Sequence, residues 1–322
     1  MGPSDLSPES PFARRFLAWM RERFPPARTV LFLVIYLAAL LYGRAVAGGA
    51  PGPVVLRPLD LLGFVGAWFF FFMLRVIDEH KDYAEDCVDY PERVLQRGLV
   101  TLGHLKVAGV IAGAAQLAAV VGLDGRPGPI TFAWLVVVGW TVLIAFEFFC
   151  GRWLGRHVVL YAALHLVVMP IGVLWMAQIG AGERWLPSAA LLFGALAYLF
   201  GASFEVARKT LGPEEEREGV ASYSQVMGPR AAAVVVGVLL VGAAAAQVAV
   251  LRTVLGSECA CTWYGLVAGA LSLELVGPLR FAAAPTAGRR KLNQAAVSLA
   301  MIASYLIIGA AVIAGRGVTL AL

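Results

Sequence analysis

Acidic side chains stand at an unusual place in this sequence, directly after one of its most apolar stretches. The run GFVGAWFFFFML is followed by RVIDEHKDYAED, in which Asp78 or Glu79, Asp82 and Asp86 recur at steps of three to four residues. On a helix this spacing places the carboxylates along one face. Like charges this close repel by about 0.2–0.5 kcal/mol per pair, so a cation must offset them.

A second acidic segment, EVARKTLGPEEEREGVASYS, runs from Glu205 to Ser224 and also follows an apolar stretch. The ranges 78–92 and 205–218 together hold 12 of the 21 acidic residues. A single charge cluster is most simply a solvated loop, but two clusters with interleaved Lys and Arg favour a site in two parts. Mg²⁺ takes a few carboxylate oxygens and completes its shell with water and phosphate oxygens, and Lys and Arg bind the same phosphates. The pattern predicts a diphosphate held by Mg²⁺ between the two segments.

The composition places these acids in a membrane protein. Hydrophobic residues make up 60% of the 322, charged residues only 15%, and the mean hydropathy is +0.77. Such values exclude an ordinary soluble domain. Nine runs have the length of about 20 residues that a membrane-crossing helix needs, and none shows strand alternation, so the predicted fold is all-α and polytopic. The nine predicted spans are 29–48, 59–77, 104–121, 130–149, 158–178, 187–206, 230–250, 262–279 and 293–314.

Positive charge predicts the orientation. Lys and Arg collect in the N-terminal segment and in every second loop, which account for 20 of the 26 basic residues. By the positive-inside rule these segments are cytoplasmic, so the N-terminus and both acidic loops face the cytoplasm of a cell membrane. Residues 1–28 lack an apolar signal-peptide core and predict a short amphipathic helix on the inner leaflet. Residues 29–322 form a single predicted transmembrane domain.

The net charge of +5 is explained by this orientation and gives no reason to expect a nucleic-acid partner. No nucleic-acid-binding motif occurs in the sequence. The expected surroundings are the lipid bilayer and molecules dissolved in it.

The first acidic segment resembles the first signature of the UbiA superfamily of intramembrane prenyltransferases, NDxxDxxxD followed by RPxxxG. The match lies in DEHKDYAEDCVDYPERVLQRGLV, where glutamate replaces one aspartate. The superfamily has nine transmembrane helices around a central cavity with both acidic loops cytoplasmic, so the resemblance covers the whole chain. The matching positions are, in order, Asp78, Glu79, Asp82, Asp86, Arg93 and Gly98.

The second acidic segment resembles the second signature, DxxxD followed by GxxS or GxxT, at Glu215, Gly219 and Ser222. Leu211 occupies the place of the partner acid, and the more distant Glu205 is assigned that role. These departures are typical of a divergent branch, so the substrate cannot be copied from the best-known members.

The resemblance implies a mechanism in which Mg²⁺ joins the carboxylates to an isoprenoid (allylic) diphosphate and neutralises the leaving group. A hydrophobic acceptor would then capture the prenyl group in a cavity that excludes water. The implied catalytic residues and metal ligands are Asp78, Glu79, Asp82, Asp86, Glu205 and Glu215. The implied diphosphate-binding residues are Lys81, Arg93, Arg208 and Lys209.

Further polar and aromatic residues within the spans are candidates for the acceptor side of the cavity. Glu147 ends the fourth span, and Tyr161 and His165 share a face of the fifth span. They predict either acceptor binding and base chemistry or a structural hydrogen bond between helices. Phe71, within WFFFFM, offers an aromatic face to a carbocation, although packing against lipid explains the same residue.

Two other functions fit parts of the pattern. A terpene cyclase would ionise the same diphosphate without an external acceptor. A cation or small-molecule transporter would also bury acids among nine helices, but the acids here cluster at span ends, and obvious pairs of helices broken by Gly or Pro are absent. The DxxDGxxAR motif of the CDP-alcohol phosphotransferases does not occur.

Overall fold

The computed structural model describes residues 6–48, 52–216, 222–256 and 261–321. Within these ranges eight helical spans are long and apolar enough to cross a membrane, of which Val158–Ala181 and Cys261–Ala283 each comprise two consecutive helices. The fourth predicted span corresponds to a shorter helix, Pro129–Ala145, of 17 residues. The all-α prediction is therefore confirmed, with one span shorter than expected.

The secondary structure is almost entirely helical. The helices are α1 Phe12–Arg23, α2 Pro26–Ala47, α3 Asp60–Lys81, α4 Tyr83–Asp89, α5 Leu102–Asp124, α6 Pro129–Ala145, α7 Gly151–Leu154, α8 Val158–Leu166, α9 Val168–Ala181, α10 Leu191–Arg208, α11 Tyr223–Met227, α12 Pro229–Leu255, α13 Cys261–Glu274, α14 Val276–Ala283 and α15 Ala287–Arg316. Two short strands, which the sequence analysis did not predict, are β1 Val54–Leu56 and β2 Val318–Leu320, paired in parallel.

The chain divides into two compact units. The first comprises the described parts of Met1–Leu33 and Pro58–Thr131, and the second those of Val34–Arg57 and Phe132–Leu322. In the first unit α3 packs along α5, and the predicted amphipathic helix α1 is present. Trp19 of α1 is fully buried and meets the ring of Phe72 edge-on at 6.0 Å. The aromatic run of α3 is therefore partly used to hold α1.

The second unit is organised around α10, which packs against α12, α9 and α15. The core between these helices contains large, fully buried rings such as Phe193 and Phe200. Tyr42 of α2 stacks on Phe193 with ring centroids 4.7 Å apart. The other end of α10, Glu205 to Arg208, carries the start of the second acidic segment.

Two spans are interrupted at proline. Pro170 and Pro278 each lack the N–H that would bond the carbonyl four residues earlier, at Leu166 and Glu274, where α8 and α13 end. The sequence analysis did not anticipate these two interruptions. The position of the acids at span ends is the observation that still speaks against a transporter.

Small residues allow α2 and α9 to approach closely. A Cβ atom added at Gly43 would lie 1.9 Å from the carbonyl oxygen of Ala177, and one added at Gly180 would lie 2.1 Å from that of Leu40. Such separations are below van der Waals contact, so only glycine fits. Close approach at small residues is a common way to pack helices in lipid, where no hydrophobic force joins them.

We predict that Gly43→Ala destabilises the protein by about 1–3 kcal/mol, because α2 and α9 must separate. The matched control is Gly139→Ala in α6, where an added Cβ has nothing within 4 Å. That variant should keep its stability or gain up to about 1 kcal/mol from better helix propensity. Reversible unfolding in mixed detergent micelles measures both, and equal stability of the two variants would contradict the close packing.

Candidate functional site

The first acidic segment lies where α3 ends and α4 begins. Asp78 and Glu79 belong to the last turn of α3, Asp82 connects the two helices, and Asp86 lies in α4. Backbone hydrogen bonds run from Asp82 N to Asp78 O at 2.9 Å and from Asp86 N to Asp82 O at 2.8 Å. The helix that was predicted to continue past the span is therefore present, with a junction at Asp82.

Glu79 is the buried member of the group, with only 1% of its side chain exposed. Its Oε1 accepts hydrogen bonds from Arg23 Nε at 2.5 Å and from Arg75 Nε at 2.8 Å and Nη2 at 2.5 Å. Its Oε2 is buried and has no hydrogen-bond partner among the described residues. Two guanidinium groups thus stabilise one carboxylate that water cannot reach.

Asp86 joins the same network. Its Oδ2 accepts from Arg93 Nη1 at 2.7 Å and from Arg23 Nη2 at 3.3 Å. The guanidinium of Arg93 also lies over the ring of Tyr90, 3.5 Å from the centroid. Arg23 therefore bridges two acids of the UbiA-like signature from a helix far away in sequence.

The other two acids at the signature positions of this segment face outward. Asp78 has a half-exposed side chain 3.8 Å from Arg75 Nη1, and Asp82 is exposed at the α3–α4 junction. Partial desolvation raises the pKa of Asp82, and the charge of Asp86 raises it further, against the opposing effect of Arg75. Asp82 is thus held where its negative charge costs free energy, which is common at functional sites.

The carboxylates of the first acidic segment suit a Mg²⁺ ion with few protein ligands better than a metal ion that protein ligands surround completely. Among the described residues no three His, Cys, Asp or Glu side chains converge as a set able to hold a metal ion. Asp78 and Asp82, one helical turn apart and both accessible, are two hard oxygen ligands of the kind that Mg²⁺ uses when water and phosphate complete its shell. Glu79 and Asp86, also predicted as ligands, are engaged by arginines here, and their metal role stays a prediction.

In the second acidic segment Glu205 is paired with both predicted phosphate-binding residues. Its Oε2 lies 2.7 Å from Arg208 Nη2, and its Oε1 lies 2.7 Å from Lys209 Nζ. Arg208 is half-exposed, whereas the Glu205 side chain is only 15% exposed. The arrangement repeats that of the first segment, in which a less exposed carboxylate holds cationic side chains at a helix end.

Tyr223 contacts the chain just after the end of α10. The sequence analysis did not identify it. Its backbone N–H donates to Lys209 O at 2.9 Å, and its side chain is buried. Burial raises the pKa of Tyr223 to about 12, and the charge of Glu205 adds to the rise. The phenol therefore stays protonated at neutral pH and acts only as a neutral hydroxyl.

Glu215, the acid of the second signature, is engaged outside its own segment. Its carboxylate accepts from Arg290 Nε at 2.9 and 3.0 Å, and Arg290 lies in the first turn of α15. Ser222 donates to both carboxylate oxygens of Glu216, at 3.0 and 2.9 Å. Gly219 of the signature lies outside the described residues. The second segment is thus bound to the start of α15.

Glu147, Tyr161 and His165, the predicted acceptor residues, do come together. Tyr161 Oη donates to Glu147 Oε1 at 3.4 Å, and the rings of Tyr161 and His165 stack at 3.9 Å. His165 Nδ1 lies 2.7 Å from Tyr161 O. A carbonyl only accepts, so Nδ1 carries the proton and Nε2 is the basic nitrogen of the neutral ring.

The backbone at Glu147 is strained, and no pattern in the sequence predicts this. Glu147, Phe148 and Phe149 have φ values of 49°, 54° and 58°. Each left-handed residue other than glycine costs about 1–2 kcal/mol, and such strain concentrates at functional sites. A Cβ at Gly151 would lie 2.0 Å from Glu147 Oε2, so this glycine makes room for the carboxylate.

Phe71, predicted to face a carbocation, packs inside the first unit. Its ring stacks on Phe32 at 4.0 Å with an interplanar angle of 7°. Lys81, predicted to bind diphosphate, is half-buried in the last turn of α3. The functional roles of both residues stay predictions.

Two arginines that complete these clusters, Arg23 and Arg290, were not assigned by the sequence analysis. Each lies more than 50 residues from the acid that it binds, so no local spacing indicates the pair. The only available signal was a basic residue at the end of a predicted helix.

Solved structures of three proteins are similar to this chain. A structure of digeranylgeranylglyceryl phosphate synthase matches with a TM-score of 0.60 and 14% identity, over 94% of this chain and 99% of that one. The apo structure of a UbiA homologue from Aeropyrum pernix K1 gives 0.58 and 16%, over 87% and 97%. A UbiA homologue from Archaeoglobus fulgidus bound to Cd²⁺ gives 0.51 and 14%, over 90% and 98%. No protein-family model and no curated protein sequence matches the chain.

The apolar helices and these similarities define an all-α, multi-pass membrane protein. Its fold is that of the UbiA homologues, as the signature at Asp78 to Gly98 implied. Identities of 14–16% establish the fold alone and do not identify the reaction.

We predict that Glu79→Gln lowers the free energy of unfolding by about 3–5 kcal/mol, because it leaves buried guanidinium charge without its counter-ion. Asp89→Asn, at the exposed end of α4, is the matched control and should change stability by no more than about 0.5 kcal/mol. Denaturant unfolding in detergent micelles measures both variants. If Glu79→Gln is as stable as the control, the network does not hold α1 to α3.

The raised pKa of Asp82 predicts that neutralising this residue raises the free energy of unfolding, the opposite of the effect expected for Glu79→Gln. A carboxyl group with a raised pKa lowers stability once the pH exceeds its ordinary value of 3.8, and the loss is complete above the raised pKa. Asp82→Asn should therefore be more stable than the wild type at pH 7 in metal-free buffer, and the gain should vanish as the pH falls toward 3.8. Thermal unfolding at stepped pH tests this. A gain that is the same at every pH would show that charge is not its cause.

Proposed function

We propose that this protein is an intramembrane prenyltransferase that uses Mg²⁺ to transfer a prenyl group from an allylic diphosphate to a hydrophobic acceptor. The fold shared with the UbiA homologues supports this proposal. The observation that carries it is the first acidic segment, where Asp78 and Asp82 face outward beside a network of arginines.

In the proposed reaction the C–O bond between the allylic carbon and the diphosphate breaks, and the diphosphate leaves with the electron pair. The allylic carbon then bonds to a nucleophilic atom of the acceptor, which loses a proton. Stabilising charge on the leaving group is therefore the main task of the site.

Asp78 and Asp82 would hold the metal ion, because both are accessible and neither is buried in an ion pair. Bound Mg²⁺ would neutralise charge on the diphosphate. Glu79 and Asp86 would orient Arg23, Arg75 and Arg93 rather than bind the metal directly. This division follows from burial, since the Glu79 side chain is only 1% exposed.

The second acidic segment would contribute cations that bind diphosphate. Glu205 fixes Arg208 and Lys209 at the end of α10, and a fixed side chain loses less entropy when it binds phosphate. Glu215 would act by holding this segment to α15 through Arg290. Its predicted metal role is therefore the weaker part of the resemblance.

Glu147, Tyr161 and His165 would serve the acceptor. His165 Nε2 is the nitrogen able to take the proton that the acceptor loses, and Tyr161 and Glu147 hold the ring in place. The aromatic rings around it, such as Phe148 at 5.6 Å, would keep water out.

We predict that Asp82→Asn lowers the rate of diphosphate release at least 100-fold, because the metal loses a charged ligand. Protein in liposomes is incubated with Mg²⁺ and geranyl, farnesyl or geranylgeranyl diphosphate, with its own co-purified lipids as acceptors. Geranylgeranyl diphosphate belongs to the panel because the name of one structural neighbour denotes a product with geranylgeranyl groups.

The exposed Asp89→Asn again provides the control and should retain wild-type activity. Chelation of Mg²⁺ should stop the wild-type reaction. A product formed from one diphosphate alone would identify a cyclase, and wild-type turnover by Asp82→Asn would remove Asp82 from the mechanism. Thermal unfolding of the same Asp82→Asn preparation in the assay buffer shows whether lost activity arises from unfolding.

A further inference from the structure

The turn that joins α6 to α8, residues 146–157, exposes both aromatic and basic side chains. Its exposed aromatic residues are Phe146, Phe149 and Trp153, with 61%, 76% and 53% of their surface accessible. Its exposed arginines are Arg152 and Arg156. We infer that this α6–α8 turn binds the head group of an anionic phospholipid of the surrounding bilayer, independently of the proposed prenyl transfer.

The α6–α8 turn lies at the end of a membrane span, where lipid meets water. Helix α6 has 17 residues and is about 26 Å long, less than the hydrocarbon thickness of about 30 Å, so the first residues of the turn remain close to the hydrocarbon. Exposed residues recur along α6 every three to four positions, which gives the helix one face suited to lipid. They are Phe132, Leu135, Val136, Gly139, Val142 and, just beyond the helix, Phe146. The turn therefore continues the lipid face of α6.

The backbone of the α6–α8 turn directs its rings to opposite sides. Glu147, Phe148 and Phe149 share the left-handed conformation, and Phe149 N donates to Phe146 O at 2.9 Å. Phe148 packs inward, with its ring 5.5 Å from that of Trp140. Phe146 and Phe149 stack on each other at 5.5 Å with an interplanar angle of 11°. This exposed pair presents a flat apolar surface, and its burial in lipid would offset part of the backbone strain.

The arginines of the α6–α8 turn are carried by a short helical segment that is fixed to the protein. Leu154 of α7 is fully buried. Hydrogen bonds continue past α7, from Arg156 N to Trp153 O at 3.2 Å and from His157 N to Leu154 O at 2.9 Å. Because Arg152 and Arg156 are four residues apart on this segment, they lie about one helical turn from each other.

Neither arginine has a counter-ion within the described part of the chain. The side chains of Arg152 and Arg156 form no hydrogen bond and no ion pair with any described residue. Over residues 125–182 the sequence has one acid, Glu147, whose Oε1 accepts from Tyr161 at 3.4 Å. Two positive charges one turn apart repel each other, and an anion bound between them removes the repulsion.

The second acidic segment begins at the same end of the second unit, because α10 runs antiparallel to α8 and α9. A Cβ at Gly201 would lie 3.3 Å from the Leu166 side chain, and one at Gly194 would lie 3.1 Å from that of Leu174. The carboxylate of Glu205 already has two cationic partners of its own. The exposed phenylalanine pair favours a lipid over a diphosphate at the α6–α8 turn, since a soluble anion gains nothing from apolar rings.

An anionic phospholipid matches both parts of this surface. Guanidinium groups bind phosphate oxygens in pairs, and aromatic rings are favoured at the level of the lipid head groups. A zwitterionic lipid carries its own cation and so relieves less of the repulsion between the arginines. One arginine near an anionic surface strengthens binding roughly fivefold, so two predict a preference of about tenfold or more.

The test compares the wild type with Arg152→Gln/Arg156→Gln and with the control Arg126→Gln/Arg230→Gln. The control removes the same charge from two exposed arginines near other span ends. Native mass spectrometry of the full chain counts phosphatidylglycerol and phosphatidylcholine that stay bound. Phe149→Ser tests the apolar part of the surface, and competition with soluble glycerol phosphate separates a lipid from a free phosphate.

We expect the wild type and the control to prefer phosphatidylglycerol over phosphatidylcholine by about tenfold or more, and Arg152→Gln/Arg156→Gln to lose this preference. Phe149→Ser should weaken the binding of both lipids by a similar factor. The same preference in the arginine variant as in the control would overturn the inference, and so would displacement of the lipid by glycerol phosphate.

A measurement of diphosphate release separates this site from the proposed reaction. The arginine variant should need the same concentration of farnesyl diphosphate as the control for half-maximal release, because the lipid site is not the diphosphate site. If the variant binds phosphatidylglycerol normally but needs more farnesyl diphosphate, the arginines belong to the diphosphate site and the lipid assignment is wrong.

Discussion

A carboxylate at the edge of a lipid bilayer is stable only when a cation accompanies it. The acids of this chain follow spans that are otherwise apolar, and each described acid that is buried there is joined to arginine or lysine. Glu79 with Arg23 and Arg75 is the clearest case. Desolvation penalises the unpaired charge by several kcal/mol, so the fold at the end of α3 depends on this match.

The same constraint separates acids that hold the structure from acids that are available for chemistry. Glu79, Asp86 and Glu205 are largely enclosed and paired with cations, whereas Asp78 and Asp82 are accessible. The superfamily signature treats the first-segment acids as equivalent. Burial divides them into carboxylates that position arginines and carboxylates that can meet a metal ion and a diphosphate.

The sequence predicted what depends on local pattern and missed what depends on distant contacts. Apolar length predicted the spans, and the spacing of Asp78, Asp82 and Asp86 predicted helical acids at a span end. Arg23 could not be predicted as the partner of Glu79, because the pair forms only after α1 packs through Trp19. The left-handed backbone at Glu147 likewise has no local signal in the sequence. The β1–β2 pair has none either, because its strands lie near opposite ends of the sequence.

The most direct test of the central claim is a structure of the protein with Mn²⁺ in place of Mg²⁺ and a non-reactive allylic thiodiphosphate. The anomalous scattering of Mn²⁺ identifies the position of the metal directly. We predict a metal peak at coordination distance, about 2.0–2.3 Å, from carboxylate oxygens of Asp78 and Asp82, with the diphosphate on the other side of the metal. Metal and diphosphate bound elsewhere, with Asp78 and Asp82 still facing solvent, would contradict it.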